Sequence, residues 1–109
     1  MAWTKRIKYT RPNTDVAFYK ADDAASGHDL DEDDLSYMAT NFTTSGKIAS
    51  VSTSLSDNQL ELTKTIVYKD EASKDEHASD SKARTFRVAM DEYNTSNNIS
   101  QAKLQDEAT

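Results

Sequence analysis

Cysteine is absent from this 109-residue chain, which excludes disulfides, thiolate nucleophiles, zinc–cysteine sites and iron–sulfur clusters. Glycine occurs twice and proline once, too few for a glycine-rich phosphate loop or a flexible low-complexity chain. No Gly-x-Ser-x-Gly elbow occurs among the many serines, so the hydrolase nucleophile turn has no counterpart. No apolar run approaches the roughly 18 residues of a bilayer span. The opening Met1-Ala2-Trp3-Thr4-Lys5-Arg6 has charge but no hydrophobic region behind it, so a secretory leader is not expected and a cytoplasmic location is. The triplets at Asn41, Asn94 and Asn98 are then chance matches to the glycosylation pattern.

Acidic charge is missing from the beginning of the chain. The net charge is −6, yet Lys5, Arg6, Lys8 and Arg11 are accompanied by no acid before Asp15. An acidic body gains nothing from counterion release on a phosphate backbone, so no nucleic-acid partner is expected. What is present is a moderate apolar content of 36% with nine aromatics. That suffices for one core at a length typical of a single domain.

Hydrophobic spacing gives the elements. Ile7 and Tyr9 alternate with Arg6, Lys8 and Thr10 as in a half-buried strand. The phase then flips to Val16 and Phe18 across Thr10-Arg11-Pro12-Asn13-Thr14, which marks a bulge, an edge or a break into two strands. An acid-rich connection follows, with Asp22, Asp23, Asp29, Asp31, Glu32, Asp33 and Asp34. It leads into a helix over about 31–44 carrying Leu35, Met38, Ala39 and Phe42, with acids at its positive end and Gly46 as its stop.

Lys47–Leu55 and Leu60–Lys69 flank Ser56-Asp57-Asn58-Gln59, a turn sequence, and read as a hairpin. With Leu55 opposite Leu60, one face holds Ala49, Val51, Leu55, Leu60, Leu62, Ile66 and Tyr68. The other holds Ser50, Ser52, Ser54, Glu61, Thr63 and Thr65. A one-residue slip would mix the faces, so burial selects the register. Lys64 falls on the apolar face and would have to snorkel.

Ala83, Phe86, Met90 and Tyr93 then define a second helix, starting between 74 and 79 and ending before Asn97, with Asp80–Arg84 as an i,i+4 pair. Ile99–Leu104 reads as a short closing strand, with frayed ends at 1–4 and 105–109. The order β-α-β-β-α-β, with helices segregated to one face of an antiparallel sheet, makes this an α+β, ferredoxin-like two-layer sandwich in one domain.

Residues 7–19, the hairpin tract Gly46–Tyr68 and the helix from about Ala78 to Tyr93 resemble the dimeric α+β barrel group. These are ferredoxin-like proteins that include antibiotic-biosynthesis monooxygenases, and the likeness is to small members of marine viral or metagenomic, phage-like type. It covers about residues 5–95. It implies a homodimer in which two sheets pack face to face into a barrel, but no single activity. The haem-degrading branch of the group needs Asn, His and Trp around haem. The only tryptophan here is Trp3 at the chain start, and neither histidine has suitable neighbours, so no cofactor is expected.

Candidate reactive residues are few. His28 lies in the acidic connection, where a general base or metal ligand is conceivable and a solvated loop histidine is the simpler reading. His77 reads as an exposed residue in the first turn of the second helix. Asp29, Asp31 and Asp33 match positions 1, 3 and 5 of a calcium loop, but Asp34 replaces the glycine of position 6 and Thr40 the glutamate of position 12, so no metal site is assigned. Tyr9, Tyr19, Tyr37 and Tyr68 fit buried faces better than a ligand cage.

The leading expectation is a homodimeric binding or accessory module. One alternative is a cofactor-independent oxygenase or isomerase acting on a small organic molecule in a cavity between the first helix and the sheet, with His28 and Tyr37 as first candidates. A virion structural component is a further alternative.

Overall fold

The structure, a computed structural model, describes residues 1–21, Ala24 and 31–109. Its elements are β1 (Trp3–Thr10), α1 (Glu32–Met38) continued by a π-helical turn (Ala39–Thr43), β2 (Ile48–Leu55), β3 (Glu61–Tyr68), α2 (Glu71–Ser79), α3 (Ser81–Ser96) and β4 (Ser100–Ala108). The four strands form one antiparallel sheet in the order β2-β3-β1-β4. That order and the helix placement give the ferredoxin-like two-layer sandwich. No helix among the described residues is long and apolar enough to cross a membrane.

The period-two pattern fixes the faces. Trp3, Lys5, Ile7 and Tyr9 of β1 pair with Tyr68, Ile66, Lys64 and Leu62 of β3, so these eight side chains share one side of the sheet. Helices cover that side. Met38 and Phe42 pack with Ile48, Ile66 and Tyr68, and Val51 lies against them. Tyr9, Phe18, Leu62 and Ile99 form a second cluster against Met90 and Tyr93. Each such side chain withdrawn from water contributes about 1.5–3 kcal/mol before entropy is charged against it.

The hairpin keeps the expected faces but slides by two residues. Val51 opposes Ile66 and Leu55 opposes Leu62, while Leu60 falls outside the strand and its carbonyl accepts from the Arg11 backbone N–H at 2.9 Å. An even slip preserves which side chains face inward, so burial cannot distinguish it from the simpler register. The turn decides instead. Ser56 N–H donates to the Glu61 carbonyl, the Asn58 side chain accepts from Leu60 N–H, and Gln59 takes φ = 63°. A bulge at Ala49 then moves Ile48, rather than Ala49, into the core at 1% exposure.

The second helix is two helices. Asp80 is extended (φ −66°, ψ 124°), and its carboxylate caps α3 by accepting from Ala83 N–H at 2.9 Å. It makes no pair with Arg84, because the cap and Tyr37 take both of its oxygens. The preceding helix begins earlier than its apolar spacing suggests because Asp70 caps it through Ser73 N–H at 2.8 Å. The ends are also better held than expected. Trp3 donates its indole N–H to Asp106 at 2.6 Å, and β4 runs to Ala108 with a bulge at Leu104. Val16 and Phe18 lie beyond β1 rather than in a second strand.

A cavity between the sheet and the helices

The two layers do not close completely. A cavity of about 170 Å³ lies between them. Lys5, Ile7 and Tyr9 of β1 and Lys64, Ile66 and Tyr68 of β3 form its floor, and α1, α2 and α3 roof it through Met38, His77, Phe86, Arg87 and Met90. The apolar residues are those the periodicity assigns to the core. The polar ones make the site.

His77 is the central group. The earlier start of α2 places it in the last turn of that helix, not the first turn of a longer one. It therefore shares an inner face with Ser73, one turn back, and is only 6% exposed. The expectation of an exposed His77 is overturned by that shift. The ring packs edge-on against Phe42 at 4.8 Å, and its Nδ1 lies 2.7 Å from the Tyr68 hydroxyl. Burial, followed by the positive charges of Arg87, Lys5 and Lys64, lowers its pKa from 6.5 to about 4. The imidazole is neutral at pH 7, with one protonated nitrogen.

Which nitrogen carries that proton follows from the partners. Among the described residues the Tyr68 hydroxyl has no acceptor other than His77 Nδ1. A proton on Nδ1 would strand the hydroxyl hydrogen and the Nε2 lone pair together. With Tyr68 donating, only one group is left over, the Nε2 N–H. That buried nitrogen has no partner, and an unpaired buried donor costs about 1–3 kcal/mol.

The cations around it are unevenly matched. Lys64, expected to snorkel, is 7% exposed and lies 3.9 Å from Asp34. Lys5, in contrast, makes no hydrogen bond or ion pair among the described residues, and its pKa is lowered by burial and by neighbouring Lys103 and Arg87. Arg87 donates once, from Nη2 to the Ala78 carbonyl at 2.8 Å. The acids at the rim are engaged elsewhere. Asp31 caps α1 and pairs with Lys20 at 3.3 Å, Asp34 pairs with Lys64, and Asp91 accepts from Gln101 at 2.9 Å.

Tyr37, one of the two sequence candidates, is outside the cavity. It lines an outer groove with Ser36, Thr40 and Lys82. Its hydroxyl donates to the Asp80 carboxylate, 2.8 and 3.0 Å from the two oxygens, and that bond raises its pKa. Its proton is held in a structural contact. His28, the other candidate, lies outside the described residues, as does Asp29 of the calcium-like run. Among the described residues no group of three or more His, Asp or Glu is placed to hold a metal ion. Asp31 and Asp33 belong instead to the cap and first turn of α1.

Sequence reasoning missed Tyr68–His77 because α2 has no apolar stripe to reveal its inner face. The available signal was Asp70, a capping residue three positions before Ser73. Comparison of the chain with protein-family models, with curated proteins and with solved structures gives no match.

Proposed function

We propose that this chain is a binding module that takes a small organic molecule into the cavity between sheet and helices. The observation that carries the reading is a space of about 170 Å³ walled in part by His77, a buried residue whose Nε2 has no partner. An apolar cavity of about 150 Å³ holds benzene, so the volume suits a ligand of one ring with a short substituent. Convergent polar groups in a mainly apolar enclosure are the usual mark of a small-molecule site.

The alternative, a cofactor-independent oxygenase or isomerase, would draw its base from the cavity wall, where His77 lies and Tyr37 does not. A general base works best with a pKa near the operating pH. His77 at about 4 and a Tyr68 whose pKa is pushed well up by burial stand on opposite sides of neutrality. The pair is suited to holding a ligand, not to moving its protons, and we favour binding without turnover.

The module is further proposed to be a homodimer, like the dimeric α+β barrel group its sequence resembles. The face of the sheet away from the helices would form the contact. That face carries Arg6, Lys8, Ser50, Ser52, Ser54, Thr63 and Thr65.

Replacing Met90, which lines the cavity, by tryptophan tests the binding reading. Met90→Trp should fill the space, remain folded by circular dichroism, and abolish the methyl shifts that single-ring compounds produce at Ile7 and Ile66. Shifts that persist unchanged would place binding elsewhere.

A further inference from the structure

We infer that the cavity ligand is a small organic monoanion, whose carboxylate accepts from His77 Nε2 and neutralises Lys5. The inference rests on the cavity being the binding site and adds the chemistry of what binds there.

Three independent features converge on negative charge. The first is the direction of the unmade hydrogen bond at His77, a residue of the cavity wall whose buried Nε2 a ligand reaches once the ring shifts slightly toward the space. Tyr68 occupies Nδ1, so the group missing at Nε2 is an acceptor. The second is Lys5, half-buried on the floor of the cavity with no counter-ion among the described residues. A desolvated ammonium is costly unless paired. Its charged neighbours are Lys103, Arg87 and Lys74, with Asp106 the one acid. That acid already serves Trp3 and Lys103, the latter at 3.1 Å. The third is Arg87, which lines the same space and uses one of its five N–H donors.

The acids do not reverse this balance. Asp34 faces Lys64 and Asp91 faces Gln101, while Asp31 is split between the α1 cap and Lys20. Every one of them has a donor from the protein. The unmet demand in the cavity is for an acceptor with negative charge. In a chain of net charge −6, such a pocket opposes the overall field and would select among anions by fit.

Size narrows the class. The floor side chains Ile7 and Ile66 and the roof side chains Met38, Phe86 and Met90 are apolar, so the body of the ligand is apolar too. A carboxylate on one ring or a short branched chain meets both requirements. Inorganic phosphate would satisfy the charge and leave the apolar wall unfilled.

Affinities of benzoate, benzamide and benzylamine for the unmodified protein, followed by methyl shifts at Ile7, Ile66 and Met90, test this. The three probes share a ring and differ in charge. Benzoate should bind at least tenfold more tightly than benzamide and should shift the His77 Nε2 resonance, with benzylamine weakest. Lys5→Met should remove the advantage of benzoate over benzamide, so that the two bind alike. Equal binding of benzoate and benzamide, or a preference for benzylamine, would overturn the anion inference while leaving the cavity as a binding site. If none of the three perturbs those methyl groups, the cavity reading itself fails. Because the comparison of probes uses the unmodified chain, the result stands even if Lys5→Met does not fold.

Discussion

At the scale of single residues, two buried basic groups carry most of the physical tension in this molecule. His77 is neutral because burial, and after it the positive charge of Arg87, Lys5 and Lys64, disfavours a second proton. Lys5 faces it from β1, Lys64 and Tyr68 from β3 and Arg87 from α3, against which Asp80 is the one acid that raises its pKa. The folded pKa of about 4 lies below the ordinary 6.5, so between these values the unfolded chain binds more protons. Stability is then full above pH 6.5 and falls as pH drops toward 4, by as much as ~3 kcal/mol from this residue alone. Denaturant unfolding at pH 7 and pH 4.5 checks the sign, and His77→Phe should flatten that part of the profile.

Arg11 is the second group. It is 1% exposed, donates to the carbonyls of Gln59 at 2.7 Å, Val16 at 3.0 Å and Ala24, and lies over the Phe18 ring at 4.7 Å. It ties the segment after β1 to the hairpin turn. A lysine cannot present a planar fork to three carbonyls. Arg11→Lys should therefore cost about 2–3 kcal/mol in thermal or denaturant unfolding, whereas the exposed Arg84→Lys should cost almost nothing. In the sequence Arg11 appeared as part of a basic start and of the tract that interrupts the first strand pattern, because nothing local shows that carbonyls 5 to 48 residues away converge on it.

At the scale of elements, Asp80 divides two helices and joins a third to them. Its carboxylate serves Ala83 N–H at the start of α3 and the Tyr37 hydroxyl from α1. Asp80→Ala should lose about 1–2 kcal/mol through the cap alone and more through the stranded hydroxyl. Tyr37→Phe should lose about 1 kcal/mol. The double variant should be less destabilised than the sum of the two, since they share one contact. Urea titrations of the four proteins measure that coupling, and strict additivity would mean the hydroxyl–carboxylate bond adds nothing in solution.

How much of these elements was legible depended on what each one buries. α1 and its π-helical turn, the hairpin faces and α3 announce themselves because each carries a run of apolar side chains at its own period. Val51, Leu62 and Ile66 do face the helices, as the alternation requires. α2 is different. Its buried residues are Ser73 and His77, so periodicity passes over it and the helix merges with α3 on paper. β4 reads short because its C-terminal half, Gln105-Asp106-Glu107, looks like tail, although pairing with β1 orders it. A cavity between the first helix and the sheet entered the sequence reading only within an alternative, and its lining was not legible for a related reason. Its polar lining comes from six separate elements, and no local spacing reports a gap between layers.

At the scale of the whole molecule, one side of the sheet is roofed by helices and the other carries hydroxyl and basic side chains. Thr4, Arg6 and Lys8 of β1 face Val67, Thr65 and Thr63 of β3 there, and Arg6 donates to the Thr65 hydroxyl at 3.1 Å. If this face joins two copies, light scattering at micromolar concentration should give twice the monomer mass. Thr65→Glu beside Ser52 should then return it to a monomer. A monomer from the unmodified chain removes the homodimer and leaves the cavity untouched, since its lining lies entirely on the helical side.

The most direct measurement for the account as a whole is a crystal structure of the chain soaked with benzoate. The ligand is predicted between sheet and helices, its carboxylate within hydrogen-bond reach of His77 Nε2 and its ring against Ile7, Ile66 and Met90. A structure with His77 turned out to solvent, or with the space between the layers closed by its own side chains, would contradict it.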